Sequence, residues 1–426
     1  MIEKIYQQYL TSNGVSTDTR QLNKGCMFFA LKGPNFNANQ FAAKAFEQGA
    51  KYVVIDDEEF KVDDHCLLVP DVLQALQQLA LHHRRQLKIP FIGITGSNGK
   101  TTSKELINGV LSKKYKTFAT KGNLNNHIGV PVSVLSIGSQ VQVAIIEMGA
   151  NKIGDIAELV AIAEPTHGLI TNIGKAHIEG FGSFEGVIRG KSELYHFLIQ
   201  NNGKIFVNSN NEILANMSKR TREPVFYPQH GDFFTCELLG ADPYVKYRHE
   251  NGEEVLTNLM GRYNFENIAA ALCLGKYFEV DPAAANEAIS NYVPANNRSQ
   301  VYKKGSNTIL MDAYNANPTS MQAALDNFKQ MKAEKKIAIL GDMYELGSNE
   351  AEEHANIGKI TADIDLDEVI LCGKKMRAAS EANPQAKYFS NKEELMKYLQ
   401  DNSYQDTHIL IKGSRAMALE GIVEFL

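Results

Sequence analysis

Gly93-Ile94-Thr95-Gly96-Ser97-Asn98-Gly99-Lys100-Thr101-Thr102 is the stretch that decides the predicted fold. It follows an apolar run at residues 91–94 and precedes a helical pattern that begins near Thr101. Glycines in such a turn let backbone N–H groups approach an anion, and the positive end of the following helix favours phosphate. Two residues separate Gly96 from Gly99, whereas the widespread phosphate-binding loop has four residues between its glycines. The stretch therefore predicts a nucleotide-binding α/β domain with a shortened loop.

Two side chains of this loop have expected chemical roles. The ammonium of Lys100 would neutralise the β- and γ-phosphate oxygens of a nucleotide, and the hydroxyl of Thr101 would bind Mg²⁺. The alternative is a glycine turn that only connects a strand to a helix, which the Gly-Lys-Thr-Thr ending disfavours. The residues expected at the nucleotide here are Gly96, Ser97, Asn98, Gly99, Lys100, Thr101 and Thr102.

Length and composition limit the classes of function. A chain of 426 residues predicts roughly two to four domains. Its content of 44% hydrophobic and 22% charged residues is typical of a soluble globular protein. The net charge of -5 argues against a nucleic-acid-binding surface, which requires a basic patch. We therefore expect small-molecule substrates and no nucleic acid.

The amino terminus and the cysteines indicate the cellular setting. The first ten residues, MIEKIYQQYL, contain the charged Glu3 and Lys4 and no long apolar run, so neither a signal peptide nor a membrane anchor is expected. The five cysteines are scattered without a Cys-x-x-Cys pair, which disfavours a disulfide framework and a zinc site. We expect a cytoplasmic protein that acts as a monomer, without membrane insertion.

Changes in the pattern of apolar runs and helical stretches along the sequence predict three α/β domains, at residues 1–88, 89–295 and 296–426. In the middle domain, apolar runs such as residues 141–146 and 167–170 precede glycine-bearing turns and helical patterns. Runs of this kind predict a mostly parallel sheet with helices on both faces. A small α/β domain would precede this central phosphate-loop ATPase domain, and a Rossmann-like α/β domain would follow it.

Polar turns follow the predicted strands of the third domain. Asp312 comes directly after the apolar run at residues 308–311, and Lys412 follows the run at residues 408–411. In a doubly wound sheet such turns lie at the carboxyl ends of the strands, where these folds bind ligands. The third domain is therefore predicted to present a second ligand-binding edge.

Three residues of the middle domain are candidates for a metal site. Glu147 follows the predicted strand at residues 141–146, and a carboxylate there could bind Mg²⁺, although an exposed acid at a strand end is the alternative. His177 also follows a strand, but a lone histidine is more often a surface or core group. Lys191 lies on a helical pattern at residues 188–199, where most lysines are solvated.

Taken together, these motifs resemble those of the Mur ligases, ATP-dependent amide-forming enzymes that build the peptide stem of the bacterial cell wall. Residues 95–101 match the family's short loop, Thr-Gly-x-x-Gly-Lys-Thr, and residues 172–183 (NIGKAHIEGFGS) are similar to its Asn-x-x-x-Ala-His-x-x-x-Phe-Gly-Ser segment. The resemblance implies ATP and Mg²⁺ as cofactors, with Lys191 carbamylated by CO₂. The catalytic residues it implies are Lys100, Glu147, His177 and Lys191, of which the last three, with Thr101, would bind the metal.

Other segments extend the resemblance over essentially the whole chain. Residues 312–318 (DAYNANP) are similar to the signature segment of certain family members. These members add D-alanyl-D-alanine to a UDP-linked muramoyl tripeptide through an acyl phosphate. Residues 261–267 resemble the segment Gly-x-His-Asn-x-x-Asn, with Tyr263 in place of the histidine. The further residues implied at the nucleotide are Asn267, Arg298, Asp312, Asn315 and Asn317. The residues implied at the other two substrates are Thr17, Asp18, Thr19, Arg20, Lys32, Asn125, Asn126, Lys412, Ser414 and Arg415.

Several alternatives stay open at this point. The ligase that adds the third stem residue typically has an Asp-Asn-Pro-Arg segment, and folylpolyglutamate synthases normally begin close to their ATP-binding domain. A nucleotide switch of the GTP-binding kind would have an Asn-Lys-x-Asp motif, which the sequence lacks. In the first domain, the alternative for Asp18 and Arg20 is that they only hold a turn together. For the ligase, we expect the third domain to close over the second during turnover.

Overall fold

The computed structural model describes residues 1–294, 298 and 300–426. Helices alternate with strands along most of the chain, and the largest sheets are mostly parallel, so the predicted α/β class is confirmed. The predicted boundary at residues 295 and 296 lies outside the described residues. In the part of the chain that is described, no helix is long and apolar enough to cross a membrane.

Residues 1–88 form a small parallel sheet with helices. The elements are β1 (Val15–Ser16), β2 (Met27–Phe29), β3 (Lys32–Gly33), β4 (Phe36–Asn37), β5 (Tyr52–Ile55), β6 (Cys66–Leu68), α1 (Ile2–Leu10), α2 (Ala42–Glu47) and α3 (Val72–Gln86). The sheet has the order β1-β2-β5-β6, and β3 and β4 form a separate hairpin. Helix α3 begins where it does because the Asp71 carboxylate accepts a hydrogen bond of 2.8 Å from the backbone N–H of Gln74.

Residues 89–294 are built around a second parallel sheet. Its strands are β7 (Phe91–Thr95), β8 (Thr117–Ala119), β9 (Val143–Glu147), β10 (His167–Ile170), β11 (Lys204–Asn208) and β12 (Val225–Tyr227). The helices are α4 (Lys100–Leu111), α5 (Gly129–Leu135), α6 (Asp155–Ala163), α7 (Ile178–Phe181), α8 (Phe184–Gln200), α9 (Glu212–Ser218), α10 (Asn264–Tyr277) and α11 (Pro282–Asn291).

The strand order β12-β11-β10-β7-β9-β8 puts β7 in the middle of this sheet. Strands β9 and β10 lie on opposite sides of β7, so the strand order reverses at β7. The carboxyl end of β7 is therefore a switch point of the kind that binds ligands. Side chains alternate along β7, so Ile92 and Ile94 join one apolar core while Phe91 joins the other. The sequence prediction of a sheet buried on both faces is confirmed.

An antiparallel sheet follows in the chain, and it was not predicted from the sequence. Its strands are β13 (Cys236–Ala241), β14 (Tyr244–His249) and β15 (Glu254–Met260). Burial alternates along β14: Val245 and Tyr247 are buried, whereas Lys246 and Arg248 are exposed. The sheet therefore covers the core of the middle domain with one face and meets solvent with the other.

From residue 300 onwards, the chain forms a third sheet. Its elements are β16 (Gln300–Lys304), β17 (Asn307–Asp312), β18 (Lys335–Gly341), β19 (Glu368–Cys372), β20 (Lys387–Phe389), β21 (Thr407–Lys412), α12 (Pro318–Gln330), α13 (Glu350–Ala362), α14 (Arg377–Ala382) and α15 (Lys392–Asp401). The order is β16-β17-β21-β18-β19-β20, and β16 pairs antiparallel with β17 while the other pairings are parallel. Because β17 and β21 are neighbours in register, Asp312 lies opposite Lys412.

The first two sheets share one continuous apolar core. Phe29 and Leu76 of the first domain belong to the same cluster of buried side chains as Phe91, Val134 and Leu159 of the second. The third sheet packs into clusters made almost entirely of its own residues. The chain thus joins its first two domains by apolar packing, whereas the third domain has a core of its own.

Arg84, on the last turn of α3, ties the two domains together at their junction. Its guanidinium donates to the carbonyl oxygens of Ala163 at 2.7 Å, Glu164 at 2.7 Å and Leu87 at 2.9 Å. It also lies 3.8 Å from the centre of the Phe91 ring. Arg84 therefore satisfies carbonyl groups at the end of α6 that would otherwise lose their partners.

We expect Arg84→Ala to lower the free energy of unfolding by about 2–4 kcal/mol, because it leaves three carbonyl oxygens without their donors and removes a stacked side chain. Arg85→Ala is the matched control, since Arg85 is exposed and its pairing with Glu164 contributes at most about 1 kcal/mol. Urea denaturation followed by circular dichroism measures both. Equal effects of the two substitutions would contradict the structural role of Arg84.

Candidate functional site

The phosphate loop has a backbone that requires its two glycines. Gly96 and Gly99 have φ angles of +144° and +78°, which L-residues rarely adopt. A Cβ atom at Gly99 would lie only 2.6 Å from Oδ1 of Asn267. Lys100 is the first residue of α4, so the loop leads directly into the amino-terminal end of a helix, as predicted.

Lys100 folds back over this loop. Its Nζ donates to the carbonyl oxygens of Gly96 at 2.8 Å and Ser97 at 3.2 Å. Burial lowers the pKa of the Lys100 ammonium, and the nearby charge of Glu147 acts in the opposite direction. The loop thus holds a cation where a phosphate would enter.

The loop is fixed by the end of the neighbouring strand β10. The backbone N–H of Asn98 donates to Oδ1 of Asn172 at 2.9 Å, and Nδ2 of Asn172 returns a bond of 3.1 Å to the Asn98 carbonyl. Thr171 Oγ1 donates to the same carbonyl at 2.6 Å. These bonds hold the loop backbone in one conformation before a nucleotide arrives.

Glu147 is the last residue of β9 and is only 2% exposed. Its carboxylate accepts hydrogen bonds from Thr101 Oγ1 at 3.0 Å and from Asn125 Nδ2 at 2.9 Å, while Lys104 Nζ lies 3.9 Å away. A carboxylate beside a hydroxyl offers the oxygen ligands that Mg²⁺ prefers. The residues therefore fit a bound Mg²⁺ at Thr101 and Glu147.

The other two predicted metal residues differ in position. His177 lies on the wall of a cavity between the second and third domains, and its Nδ1 hydrogen-bonds to the carboxylate of Glu345. Lys191 is 1% exposed, and its Nζ donates to the Ala150 carbonyl at 3.3 Å. Burial, aided by the charge of Lys100, places the pKa of Lys191 well below its usual value. Among the described residues, no group of three or more His, Cys, Asp and Glu side chains is arranged to bind a metal ion.

A cavity of about 940 Å³ opens between the second and third domains. It contains the phosphate loop at one side and the ends of β17 and β21 at the other. The predicted site residues that line it are Ser97, Asn98, Gly99, Lys100, Thr101, Thr102, Asn125, Asn126, Glu147, His177, Asn267, Arg298, Asp312, Asn315 and Lys412. Residues more than 300 positions apart in the sequence thus meet in one cavity.

The wall from the third domain contains an ion pair whose lysine is buried. Lys412 is 1% exposed, and its Nζ lies 2.5 Å from Oδ2 of Asp312 and 3.2 Å from the carbonyl oxygen of Asn315. Arg298 lies nearby, with its guanidinium 3.6 Å from the centre of the Tyr314 ring. Charged groups of both signs therefore face the phosphate loop across the cavity.

Three predicted residues of the third domain lie just beyond this wall. Asn317 caps α12, and its Nδ2 donates to Oδ1 of Asn98 at 2.8 Å, so it contacts the phosphate loop directly. Ser414 Oγ accepts a hydrogen bond of 3.2 Å from the backbone N–H of Tyr344. Arg415 forms an ion pair with Glu420.

The predicted residues of the first domain do not line the cavity. Asp18 accepts hydrogen bonds from Arg20 at its backbone N–H, 2.9 Å, and at Nη2, 2.7 Å. These bonds lower the pKa of the Asp18 carboxyl to about 2. Lys32 Nζ lies 2.9 Å from Oδ1 of Asp56. Thr17 and Thr19 belong to the same turn as Asp18 and Arg20.

Sequence reasoning missed several side chains of the site. Asn172 is the second residue after β10, and Lys104 lies one turn after Lys100 on the same face of α4. Ser103 Oγ donates to Asn267 Oδ1 at 2.9 Å, while Asn267 Nδ2 donates to Asn264. The spacing of four residues from Lys100 was a signal that Lys104 lies at the site. The hydrogen bonds of Asn267 join helices α4 and α10, which are far apart in the sequence, so no local signal predicts them.

Comparisons with known proteins agree with this site. The family model for the Mur ligase middle domain matches residues 94–275, and the model for the Mur ligase glutamate ligase domain matches residues 297–415. The UDP-N-acetylmuramoyl-tripeptide–D-alanyl-D-alanine ligase of Bacillus subtilis (strain 168) is 33% identical over 97% of this chain and 93% of its own. A crystal structure of MurF from Acinetobacter baumannii is 28% identical, with a TM-score of 0.89 over 100% of this chain and 98% of its own. MurF ligase from Thermotoga maritima in complex with ADP is 25% identical, with a TM-score of 0.84 over 98% and 97% of the two chains.

Proposed function

The chain belongs to the Mur ligase family, and we propose that it joins D-alanyl-D-alanine to UDP-N-acetylmuramoyl tripeptide with hydrolysis of ATP to ADP and phosphate. The observation that supports this most is the single cavity in which the phosphate loop faces the segment from Asp312 to Asn315. Relatives that are similar over nearly their whole length include ligases named for this reaction. The product would be the pentapeptide precursor of peptidoglycan.

The chemistry requires the peptide carboxylate to be activated first. A carboxylate is a poor electrophile, so its oxygen attacks the γ-phosphorus of ATP, ADP leaves, and an acyl phosphate forms. The amine of the dipeptide then attacks the acyl carbon, and phosphate leaves. Because the first step brings two anions together, the Lys100 ammonium beside the loop would lower its barrier by neutralising phosphate oxygens.

We propose that Thr101 and Glu147 hold Mg²⁺ on the nucleotide and that His177 and Lys191 belong to a second metal position. Mg²⁺ supplies positive charge that neutralises phosphate oxygens as the phosphoryl group is transferred. The low pKa of Lys191 supports its carbamylation, since only an unprotonated amine reacts with CO₂. Carbamylation would convert this buried side chain into an anion suited to a metal.

Other predicted residues have proposed roles at the substrates. Asn267 and Arg298 would contact the nucleotide, with Asp312, Asn315 and Asn317 reaching it from the third domain. Lys412, Ser414 and Arg415 would bind the dipeptide, whereas Asn125 and Asn126 would bind the peptide stem. Thr17, Asp18, Thr19, Arg20 and Lys32 would bind the UDP-sugar through the first domain.

Phosphate release tests the proposed reaction. Purified protein with ATP, Mg²⁺ and UDP-muramoyl tripeptide should release phosphate at a rate that rises at least about tenfold when D-alanyl-D-alanine is added, since acyl phosphate is consumed only when the amine is present. UDP-muramoyl dipeptide with a free amino acid, in place of the tripeptide and D-alanyl-D-alanine, tests the ligase that adds the third residue, and GTP in place of ATP tests a nucleotide switch. Release that does not depend on the dipeptide would contradict the proposal.

We propose that the protein acts in the cytoplasm as a monomer. Support for the location comes from the proposed substrates, ATP and a UDP-linked sugar peptide, which are cytoplasmic metabolites. The cavity is formed by two domains of one chain, so a single copy supplies both of its walls. Light scattering coupled to size exclusion should give a mass near 47.3 kDa.

A further inference from the structure

The second and third domains meet along a polar seam, made by residues 175–179 on one side and by residues 319, 345 and 353 on the other. Lys175 Nζ lies 2.5 Å from Oε1 of Glu353, and its backbone N–H donates to Thr319 Oγ1 at 3.0 Å. A few residues further on, the ring of His177 hydrogen-bonds through Nδ1 to the Glu345 carboxylate. The seam therefore contains the ion pair of Lys175 with Glu353 and, beside the cavity, the hydrogen-bonded pair of His177 with Glu345.

The pair beside the cavity has unusual backbone geometry on both sides. His177 has a φ of +54° and Glu345 a φ of +63°, a region that residues other than glycine rarely adopt. The backbone N–H of Glu179 also donates to the carbonyl of Glu345 at 3.1 Å. Such conformations persist where surrounding contacts impose them, and here each domain supplies contacts to the other.

The hydrogen bond determines which ring nitrogen of His177 is available. An ionised carboxylate only accepts hydrogen bonds, so Nδ1 carries the hydrogen and the lone pair of a neutral ring lies on Nε2. Among the described residues, Nε2 has no hydrogen-bond partner, and the ring lies on the cavity wall. Histidines that bind metals characteristically donate their other N–H to a carboxylate or carbonyl, which fixes the tautomer and the ring orientation.

We propose that Glu345 is a positioning residue, which orients His177 for the metal-nucleotide complex only when the third domain has closed onto the second. Glu345 touches neither substrate nor metal; it acts through the ring of His177. This inference rests on the proposed function of the cavity and adds to it a link between domain closure and assembly of the site. Closure of the third domain thereby sets the orientation of a group that belongs to the second domain.

The competing interpretation is that His177 and Glu345 form an ordinary surface contact, which only holds the domains together. The side chains of Glu345 and Lys175 are similarly exposed, at 53% and 51%, so the two seam pairs form a matched comparison. Both pairs are lost when the domains separate, but only the pair with Glu345 sets the tautomer of a ring at the cavity. Lys175→Ala therefore serves as the control for the loss of one seam side-chain contact that leaves the partner of His177 in place.

The test uses Mn²⁺ as a probe in place of Mg²⁺. Binding of Mn²⁺ to the enzyme with ADP, measured by electron paramagnetic resonance, should be about 10–100-fold weaker in Glu345→Ala than in the parent, and kcat should fall by a similar factor. Glu345→Gln should restore part of both, because its amide oxygen still accepts from Nδ1. Lys175→Ala and the exposed Glu352→Ala should bind Mn²⁺ within about two-fold of the parent.

Nitrogen-15 NMR of the histidine rings gives a second readout that does not depend on activity. In the parent, the His177 signal, assigned by its loss in His177→Gln, should report the tautomer with hydrogen on Nδ1, and Glu345→Ala should shift it towards hydrogen on Nε2. An unchanged signal, or Mn²⁺ binding that weakens equally in Lys175→Ala and Glu345→Ala, would overturn the proposal. Phosphate release that does not depend on D-alanyl-D-alanine would contradict the proposed reaction. The Mn²⁺ and NMR measurements would still test the role of Glu345 separately.

Discussion

Alanine at position 100 should reduce kcat by about a hundred- to a thousand-fold or more, which would abolish turnover in an ordinary assay. Lys100 is the ammonium held over the phosphate loop by the Gly96 and Ser97 carbonyls, and the truncated side chain removes this positive charge from the phosphate oxygens. The loss should appear in kcat more than in the KM of the tripeptide, because the charge it offsets grows in the transition state. Phosphate release in the presence of all three substrates measures it.

Lys113→Ala is the control for this substitution. Lys113 lies just after the same helix α4 and pairs with Glu287 at 2.8 Å on the protein surface, away from the loop. It should keep the activity of the parent. If Lys100→Ala retained activity within a few-fold of the parent, the loop would not be catalytic.

Glu147→Gln should lower activity by about a hundred-fold and raise the Mg²⁺ concentration needed for half-maximal rate. The substitution keeps the size of the side chain and an oxygen for the Thr101 hydroxyl, but it removes the negative charge that a divalent cation requires. Titration of the initial rate with Mg²⁺ at saturating ATP measures both effects. The thermal midpoint should change little, since the amide oxygen of the substituted side chain would still accept the hydrogen bond from Thr101.

Glu237→Gln provides the comparison for a lost surface carboxylate. Glu237 lies on β13 and pairs with Arg248 in the antiparallel sheet. Its substitution should leave the Mg²⁺ dependence unchanged. An unaltered Mg²⁺ titration in Glu147→Gln would rule out Glu147 as a metal ligand.

Local signals predicted the centre of the fold well. The strand β7, the loop after it and the helix from Lys100 follow from a short apolar run, two glycines and a helical pattern that are contiguous in sequence. Such elements depend on neighbouring residues, so their pattern can be interpreted without knowing the rest of the molecule.

The antiparallel sheet was missed although its pattern was present. Val245 and Tyr247 alternate with Lys246 and Arg248, which is the period of a strand with one solvated face. Strands were predicted from continuous apolar runs, which are typical of strands buried on both faces, so a strand with one solvated face was not identified. A two-residue period with charged alternate positions would have identified β14.

Contacts across domains could not be predicted from spacing. Asn317 bonds to Asn98, and Glu345 bonds to His177, across separations of 219 and 168 residues. Nothing in the local sequence distinguishes Glu345 from an exposed glutamate, because its partner is defined only by how two domains meet. Family resemblance gave His177 and Lys191 roles at the site, but it gave none to Glu345, whose carboxylate contacts the histidine.

The apolar core shared by the first two domains has a consequence for substrate length. Since Phe29 and Leu76 pack in the same cluster as Phe91, and Arg84 bonds across the junction, the first two domains should behave as one rigid body. If the UDP end is held by the first domain and the phosphate by the second, the distance between them is constant. The fold then acts as a gauge: a stem with one residue fewer would leave its carboxylate short of the γ-phosphate, and a longer stem would pass it.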